Sequence, residues 1–223
     1  SPEVPEPRSR SLAIIGMLAA HLFVLPVFDL VDPSSWGAVA AGRSSILFAT
    51  LAGGSIGLVT GGVAALPRAP MRVARGRLAV RAVLLWLVGV ALIATDVPVY
   101  GILPAYAILF LLATAFTGLR ARWLLATALG LALIMPFVQV WLDLLPFWET
   151  QGGRVAAELT GWHYPFPVWL AFVLAGLGVA RAGVGKAVVQ WRMRAAGLAL
   201  GAIGYSLVAL VGVDDSGVAA EDS

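Results

Sequence analysis

The sequence predicts an all-α protein, a polytopic transmembrane helix bundle of about seven spans with its N-terminus in the cytoplasm. Three observations carry that prediction. Of 223 residues, 60% are hydrophobic and 12% charged, with a mean hydropathy of +0.92, too little polar side chain to cover a soluble globule of this size. The apolar residues gather in seven runs, at 11–29, 45–66, 78–95, 102–119, 121–142, 165–181 and 195–213, each near the roughly 20 residues that cross a hydrocarbon core. The basic residues then fall unevenly between the runs. Arg8, Arg10, Arg68, Arg72, Arg75, Arg77, Arg81, Arg120, Arg122, Arg181, Lys186, Arg192 and Arg194 lie on one side, and only Arg43 and Arg154 on the other. Basic loops stay in the cytoplasm, so the N-terminus is expected inside and, after an odd number of spans, the C-terminal tail outside.

In chain order, residues 1–10 are rich in proline and charge and read as a disordered cytoplasmic arm. The transmembrane domain runs over 11–213; its first span lacks a small-residue cleavage site and is read as retained. Asp32-Pro33-Ser34-Ser35-Trp36 marks an outside turn with an interfacial tryptophan. Span 2 carries Ala49, Gly53, Gly57, Gly61 and Ala65 at four-residue spacing, a stripe that reads as a face where a neighbouring helix approaches its backbone or, alternatively, as one opened for an acyl chain or pantetheine arm. Residues 67–81 read as an arginine-rich cytoplasmic link. Spans 3 and 4 meet in a tight outside turn at 95–101, while the short Leu119–Arg122 connection makes spans 4 and 5 antiparallel neighbours. Residues 143–164 form the longest outside segment, and 214–223 an acidic outside tail.

Composition also excludes functions. There is no cysteine, hence no disulfide, thiolate metal site or thiol nucleophile, and two histidines without carboxylate partners at helical spacing make no metal site. No phosphate-binding loop, nucleophile elbow or dinucleotide fingerprint occurs. The net charge of +3 is accounted for by topology and anionic headgroups, so no nucleic-acid partner is expected.

The candidate site residues are few. His21, mid-way along span 1, must face protein or water: it reads either as a general base or acyl acceptor, or as a neutral ring hydrogen-bonded to a neighbouring span. Arg43, Ser44 and Ser45 open span 2 with a planar guanidinium, two hydroxyls and unpaired helix N–H groups, donors suited to a carboxylate or phosphate. Arg43 paired with a nearby aspartate or reaching headgroups is the plainer alternative. Asp96 and Tyr100 complete a polar cluster with it or are an ordinary turn. Trp162 and His163, followed by Tyr164, read as an interfacial aromatic belt or as a stacking surface that positions a substrate.

Five stretches together resemble a known family: the run from Leu12 to His21; Gly42-Arg43-Ser44-Ser45 with Leu47-Phe48 and Leu51-Ala52-Gly53-Gly54-Ser55; the arginine-rich link; Asp96-Val97-Pro98-Val99 with Ile102–Tyr106; and Tyr164–Gly176 followed by Arg181. Over roughly 11–182 and in this order, they resemble the bacterial heparan-alpha-glucosaminide N-acetyltransferase-like, or YeiB-like, multi-span proteins, which are widespread in actinobacteria. The resemblance implies a multi-pass protein of the plasma (inner) membrane that takes an acyl group from a cytoplasmic thioester, acetyl-CoA or another acyl-CoA, without a metal. It implies a lipid bilayer around the protein and an envelope glycan or lipid headgroup as acceptor. Two departures accompany it. The lysosomal enzyme's catalytic histidine precedes a Ser-Trp pair in the loop after span 1, and the matching 32–36 here has no histidine. Family members also tend to have more spans, which implies a truncated member. Three classes therefore stand at this point: an acyltransferase, a non-catalytic membrane subunit bound to a partner protein in a larger envelope complex, and a proton-coupled transporter.

Overall fold

The computed structural model describes residues 43–95, 102–162 and 164–211. Within these the chain is helical, with no strand, in seven α-helices: α1 Arg43–Val59, α2 Arg68–Ile93, α3 Ile102–Phe116, α4 Ala121–Asp143, α5 Gln151–Thr160, α6 Phe166–Ala182 and α7 Ala187–Val211. A single 3-10 turn, Pro146–Glu149, lies between α4 and α5. By length and composition α2 and α4 can each cross a membrane, with α1, α3 and α6 shorter and apolar. The chain divides into two compact units, Ser1–Arg181 and Ala182–Ser223.

Three elements of the first unit differ from their expected bounds. The run at 45–66 is helical only to Val59, because Gly61 and Gly62 take positive φ values of 115° and 63° and Gly62 N–H closes back on the Gly57 carbonyl at 2.9 Å, a glycine helix stop. Gly61 and Ala65 therefore leave the small-residue stripe. The link at 67–81 is not a loop. The Pro67 carbonyl, just before the first turn of α2, accepts from Met71 N–H at 2.9 Å; Pro70 sits in that first turn, where its missing N–H costs no helical hydrogen bond, and Arg, Ala, Met and Leu carry the helix onward past Gly76. The outside segment 143–164 contains α5, held at its start by Thr150 Oγ1 accepting from Gly153 N–H at 3.0 Å and at its end by Gly161 with φ 65°.

The core of the first unit is apolar. Ala49 and Ile56 of α1, Leu78 of α2, Tyr106, Leu109 and Ala113 of α3, Leu124 and Ala128 of α4, and Leu170, Val173, Leu174 and Leu177 of α6 pack into one cluster. Glycines set the closest approaches. A Cβ on Gly53 would overlap the Val173 carbonyl, one on Gly176 the Thr50 carbonyl, and one on Gly57 would stand 2.5 Å from Ala180 Cβ, so α1 and α6 lie parallel with backbones nearly touching. Gly178 of α6 meets Leu124 and Leu125 near the start of α4, whereas Trp162, just before α6, meets Asp143 at α4's end. α4 and α6 are therefore antiparallel. Gly89 seats Pro104 where α2 ends and α3 begins, while Arg75 near the start of α2 reaches Thr117 beyond the end of α3. These contacts collect Arg75, Arg120, Arg122 and Arg181 at one end of the unit and Asp143, Glu149 and Glu158 at the other.

In the second unit, α7 starts eight residues before its apolar run, at Ala187, with Lys186 N–H donating to the Gly183 carbonyl at 2.9 Å ahead of it. Its Trp191, Leu198 and Leu200 are exposed, and the Arg194 guanidinium lies 5.9 Å from the Trp191 ring.

Candidate functional site

The basic end is organised by Arg181, 4% exposed in the last turn of α6. Its Nη1 donates to the carbonyls of Gly57, at 3.3 Å, and Gly62, at 2.5 Å. Its Nη2 donates to the Thr60 carbonyl at 3.1 Å, Thr60 Oγ1 at 2.9 Å and the Thr117 carbonyl at 2.6 Å. These acceptors are neutral and belong to the C-terminal ends of α1 and α3 and the turns that follow, where carbonyls lack intrahelical donors and carry the negative pole of the helix. A fixed fork of donors suits that cluster as no apolar side chain would. Its Nε remains buried without a partner. Arg75 completes the arrangement, donating from Nε to Thr117 Oγ1 at 2.9 Å and passing beside Gly118.

Beside this knot lies a cavity of about 460 Å³, lined by Val63, Ala64, Ala65, Gly118, Leu119, Arg120, Ala121 and Arg181. One wall is the start of α4, the positive pole of a 23-residue helix, with the exposed Arg120 as its N-cap. The other wall is the glycine-terminated turn after α1. The cavity thus sets apolar side chains beside the exposed Arg120 and the N-terminus of α4.

At the opposite end of α4, aromatic rings and polar atoms meet. Trp148 and Trp162 stack at 4.5 Å with planes 23° apart, and Phe147 and Phe166 stand edge-on against them at 5.2 and 5.6 Å. Both indole N–H groups are used: Trp148 donates to the Leu142 carbonyl at 2.7 Å and Trp162 to Asp143 Oδ1 at 2.8 Å. Asp143 Oδ1 also accepts from Gln139 Nε2 at 2.8 Å, one helical turn back. Gln139 is 9% exposed, and its Oε1 is buried without a partner, a deficit of about 1–3 kcal/mol. Tyr164 packs edge-on to Trp169 at 6.0 Å, and burial raises its phenol above the ordinary range, so it stays neutral at physiological pH.

Of the residues the sequence nominates, His21, Asp96, Tyr100 and His163 lie outside the described residues. Arg43 and Ser44 begin α1. Ser45 is half-buried, and its carbonyl accepts from Tyr106 Oη at 3.2 Å, tying the start of α1 to α3. Trp162 stands in the aromatic cluster. Trp148 belongs to the outside segment that the sequence offers as the rim of a substrate mouth, whereas Arg181, Gln139 and Asp143 are not among its nominated site residues. Gln139 carries a signal that could have found it, an amide inside an otherwise apolar span. Arg181 has none, since at the end of a run it looks like any residue reaching the interface. Among the described residues no three histidine or acidic side chains gather as a metal site.

The family model described as heparan-alpha-glucosaminide N-acetyltransferase, catalytic, matches residues 8–210. The chain belongs to this family. No curated protein and no solved structure matches it. Membership in the N-acetyltransferase family, with two membrane-length helices, makes this an acyltransferase-like membrane protein. The matched range takes in both ends of α4, the cavity by Arg181 and the aromatic cluster by Asp143.

Proposed function

We propose that the protein is a multi-pass acyltransferase of the plasma membrane, with seven spans and a cytoplasmic N-terminus, that passes an acyl group from acetyl-CoA or another cytoplasmic acyl-CoA to an envelope sugar or lipid headgroup. The observation that carries this reading is the pairing of two unlike sites on one helix. The basic cavity at Arg120 and Arg181 and the aromatic cluster at Asp143 sit at opposite ends of α4, separated by roughly 30 Å at 1.5 Å per residue, the thickness of a hydrocarbon core. An anionic donor held by its phosphates at one end and a polar acceptor entering from the other suit acyl transfer across a membrane, the thioester arm and the acceptor having to meet between the two ends. The positive-inside rule puts the basic cavity in the cytoplasm, where acyl-CoA is found. Arg120 and the start of α4 fit its phosphates, and the apolar wall of Val63, Ala64 and Leu119 fits the arm that follows them, while Arg181 holds the turns that form the cavity.

In this reading Arg43, Ser44 and Ser45 hold an anionic group, Asp96, Tyr100, Trp162 and His163 position the acceptor, and His21 is the base. As the acceptor amine or hydroxyl attacks the thioester carbonyl, its proton passes to His21 and the C–N or C–O bond forms; the C–S bond then breaks and the imidazolium returns the proton to the leaving thiolate, releasing the thiol. The experiment is release of free thiol from acetyl-CoA by the purified protein in lipid, with an amino sugar as acceptor. His21→Gln keeps hydrogen bonding without proton transfer, and turnover should fall roughly 10²-fold or more with the thermal midpoint unchanged. Unchanged turnover in His21→Gln removes that residue from the mechanism; no turnover in the wild type favours a non-catalytic subunit. One observation gives that second reading weight: the buried core of the described helices between the two ends is built from apolar side chains.

A further inference from the structure

α2 carries arginine deeper into the bilayer than its neighbours do. Arg75 bonds Thr117, beyond the end of α3, and passes beside Gly118, while α4 opens behind Arg120, so the level of Arg75 is where these helices leave the hydrocarbon on their basic side. Arg77 and Arg81 lie past that level, towards the bilayer centre, by about 3 and 9 Å at 1.5 Å per residue. The far end of the helix agrees. About 20 residues of helix span a hydrocarbon core, and counting that many back from Ile93 reaches Ala74, one turn before Arg77. Both side chains are exposed, four residues apart on one face, away from the buried Met71, Ala74, Leu78 and Ala82. The exposed Leu84 and Val88 continue the same row. Among the described residues neither arginine forms an ion pair, and the described carboxylates, Asp143, Glu149 and Glu158, belong to the other end of the unit.

A guanidinium turned to hydrocarbon without a counter-charge is costly. Helical side chains lean towards the N-terminus of their helix, here the basic side, so Arg81 rises towards Arg77 and both heads gather below the interface. We propose that Arg77 and Arg81 together bind the phosphate of one anionic phospholipid, whose acyl chains lie along Val80, Leu84 and Val88. This site rests on α2 crossing the bilayer and on no catalytic reading. A phosphodiester offers two free oxygens to the planar fork of each guanidinium, and the headgroup layer supplies it at the depth where the two heads meet. Phosphatidylglycerol leaves its phosphate charge uncompensated, whereas the choline of a zwitterionic lipid offsets that charge and sets a third cation beside two arginines. A carboxylate on another protein's span suits the place less, since it would stand unpaired in hydrocarbon until the two proteins met. Arg68 and Arg72 supply a comparison within the same helix. They too are exposed and four residues apart, but they lie on the aqueous side of Arg75, where water and salt screen them.

The test titrates the full chain in detergent with phosphatidylglycerol or phosphatidylcholine and reads bound lipid by native mass spectrometry, with the thermal midpoint beside it. The wild type should hold one phosphatidylglycerol roughly tenfold more tightly than phosphatidylcholine, and only the former should raise the midpoint. Glycerol 3-phosphate, which has the phosphate without the chains, should not displace it. Arg77→Gln with Arg81→Gln should abolish the preference, and in phosphatidylcholine alone that variant should melt no lower than the wild type, because no charge is left in the hydrocarbon. Arg68→Gln with Arg72→Gln should change the preference less than about twofold. The absence of a preference in the wild type, equal losses from the two arginine pairs, or displacement by glycerol 3-phosphate would overturn the site. So would a homo-oligomer that only the Arg77 and Arg81 substitutions dissolve while lipid retention stays unchanged, since a protein surface would then be what meets the two charges.

Discussion

At the scale of single residues, Arg181 shows how a charge is kept in an apolar interior without an ion pair. Its charge is met by the carbonyl ends of α1 and α3, which would otherwise be orphaned, so each stabilises the other. Removing the side chain leaves several carbonyls without donors. Arg181→Ala should therefore destabilise the protein by on the order of 3 kcal/mol, and Arg181→Lys, whose single ammonium cannot reach carbonyls on both sides, should restore less than half of that. Thermal unfolding in detergent decides it; a lysine variant as stable as the wild type would mean that charge alone suffices. Thr150 makes a smaller and cleaner case. Its hydroxyl caps α5, and Thr150→Ala should cost about 1 kcal/mol by the same measurement.

At the scale of elements, the α1–α6 pair depends on which glycine of two neighbours faces the partner. A methyl group on Gly53 would run into the Val173 backbone, which cannot move aside, whereas one on Gly54 would find its nearest neighbour, the Gly176 carbonyl, at 3.8 Å. Gly53→Ala should therefore cost on the order of 2–3 kcal/mol through displaced helices, and Gly54→Ala less than 1 kcal/mol. Gly57→Leu should resemble Gly53→Ala, since Ala180 Cβ stands in its way. Two equally mild alanine variants in detergent thermostability would show that the helices are not in this register.

At the scale of the whole molecule, the division of basic residues predicts which ends face the cytoplasm. Gly76 on α2 and Gly152 on α5 are exposed, with no contact closer than ordinary van der Waals distance, so a cysteine fits at either. Cysteines at Ser34 and Gly152 should react with an impermeant thiol reagent in intact cells, and one at Gly76 should react only after permeabilisation. The reverse pattern would invert the topology and move the basic cavity to the outside, where no acyl-CoA is available.

The sequence by itself determined the class of the protein, an all-helical membrane protein, because hydrophobic length is a property of segments and needs no knowledge of partners. It also determined the stripe through Ala49, Gly53 and Gly57, because a four-residue spacing lies on one helix face whatever packs there. Only the tertiary structure decided which helix fills that face, that the stripe ends where Gly61 and Gly62 turn the chain, and that the arginines of 67–81 ride on a helix. It alone joined Arg181 to Thr60 and Thr117, and Gln139 and Asp143 to Trp162. These contacts bring together residues 19 to 121 positions apart, and no local pattern encodes which distant carbonyl or ring a side chain will meet.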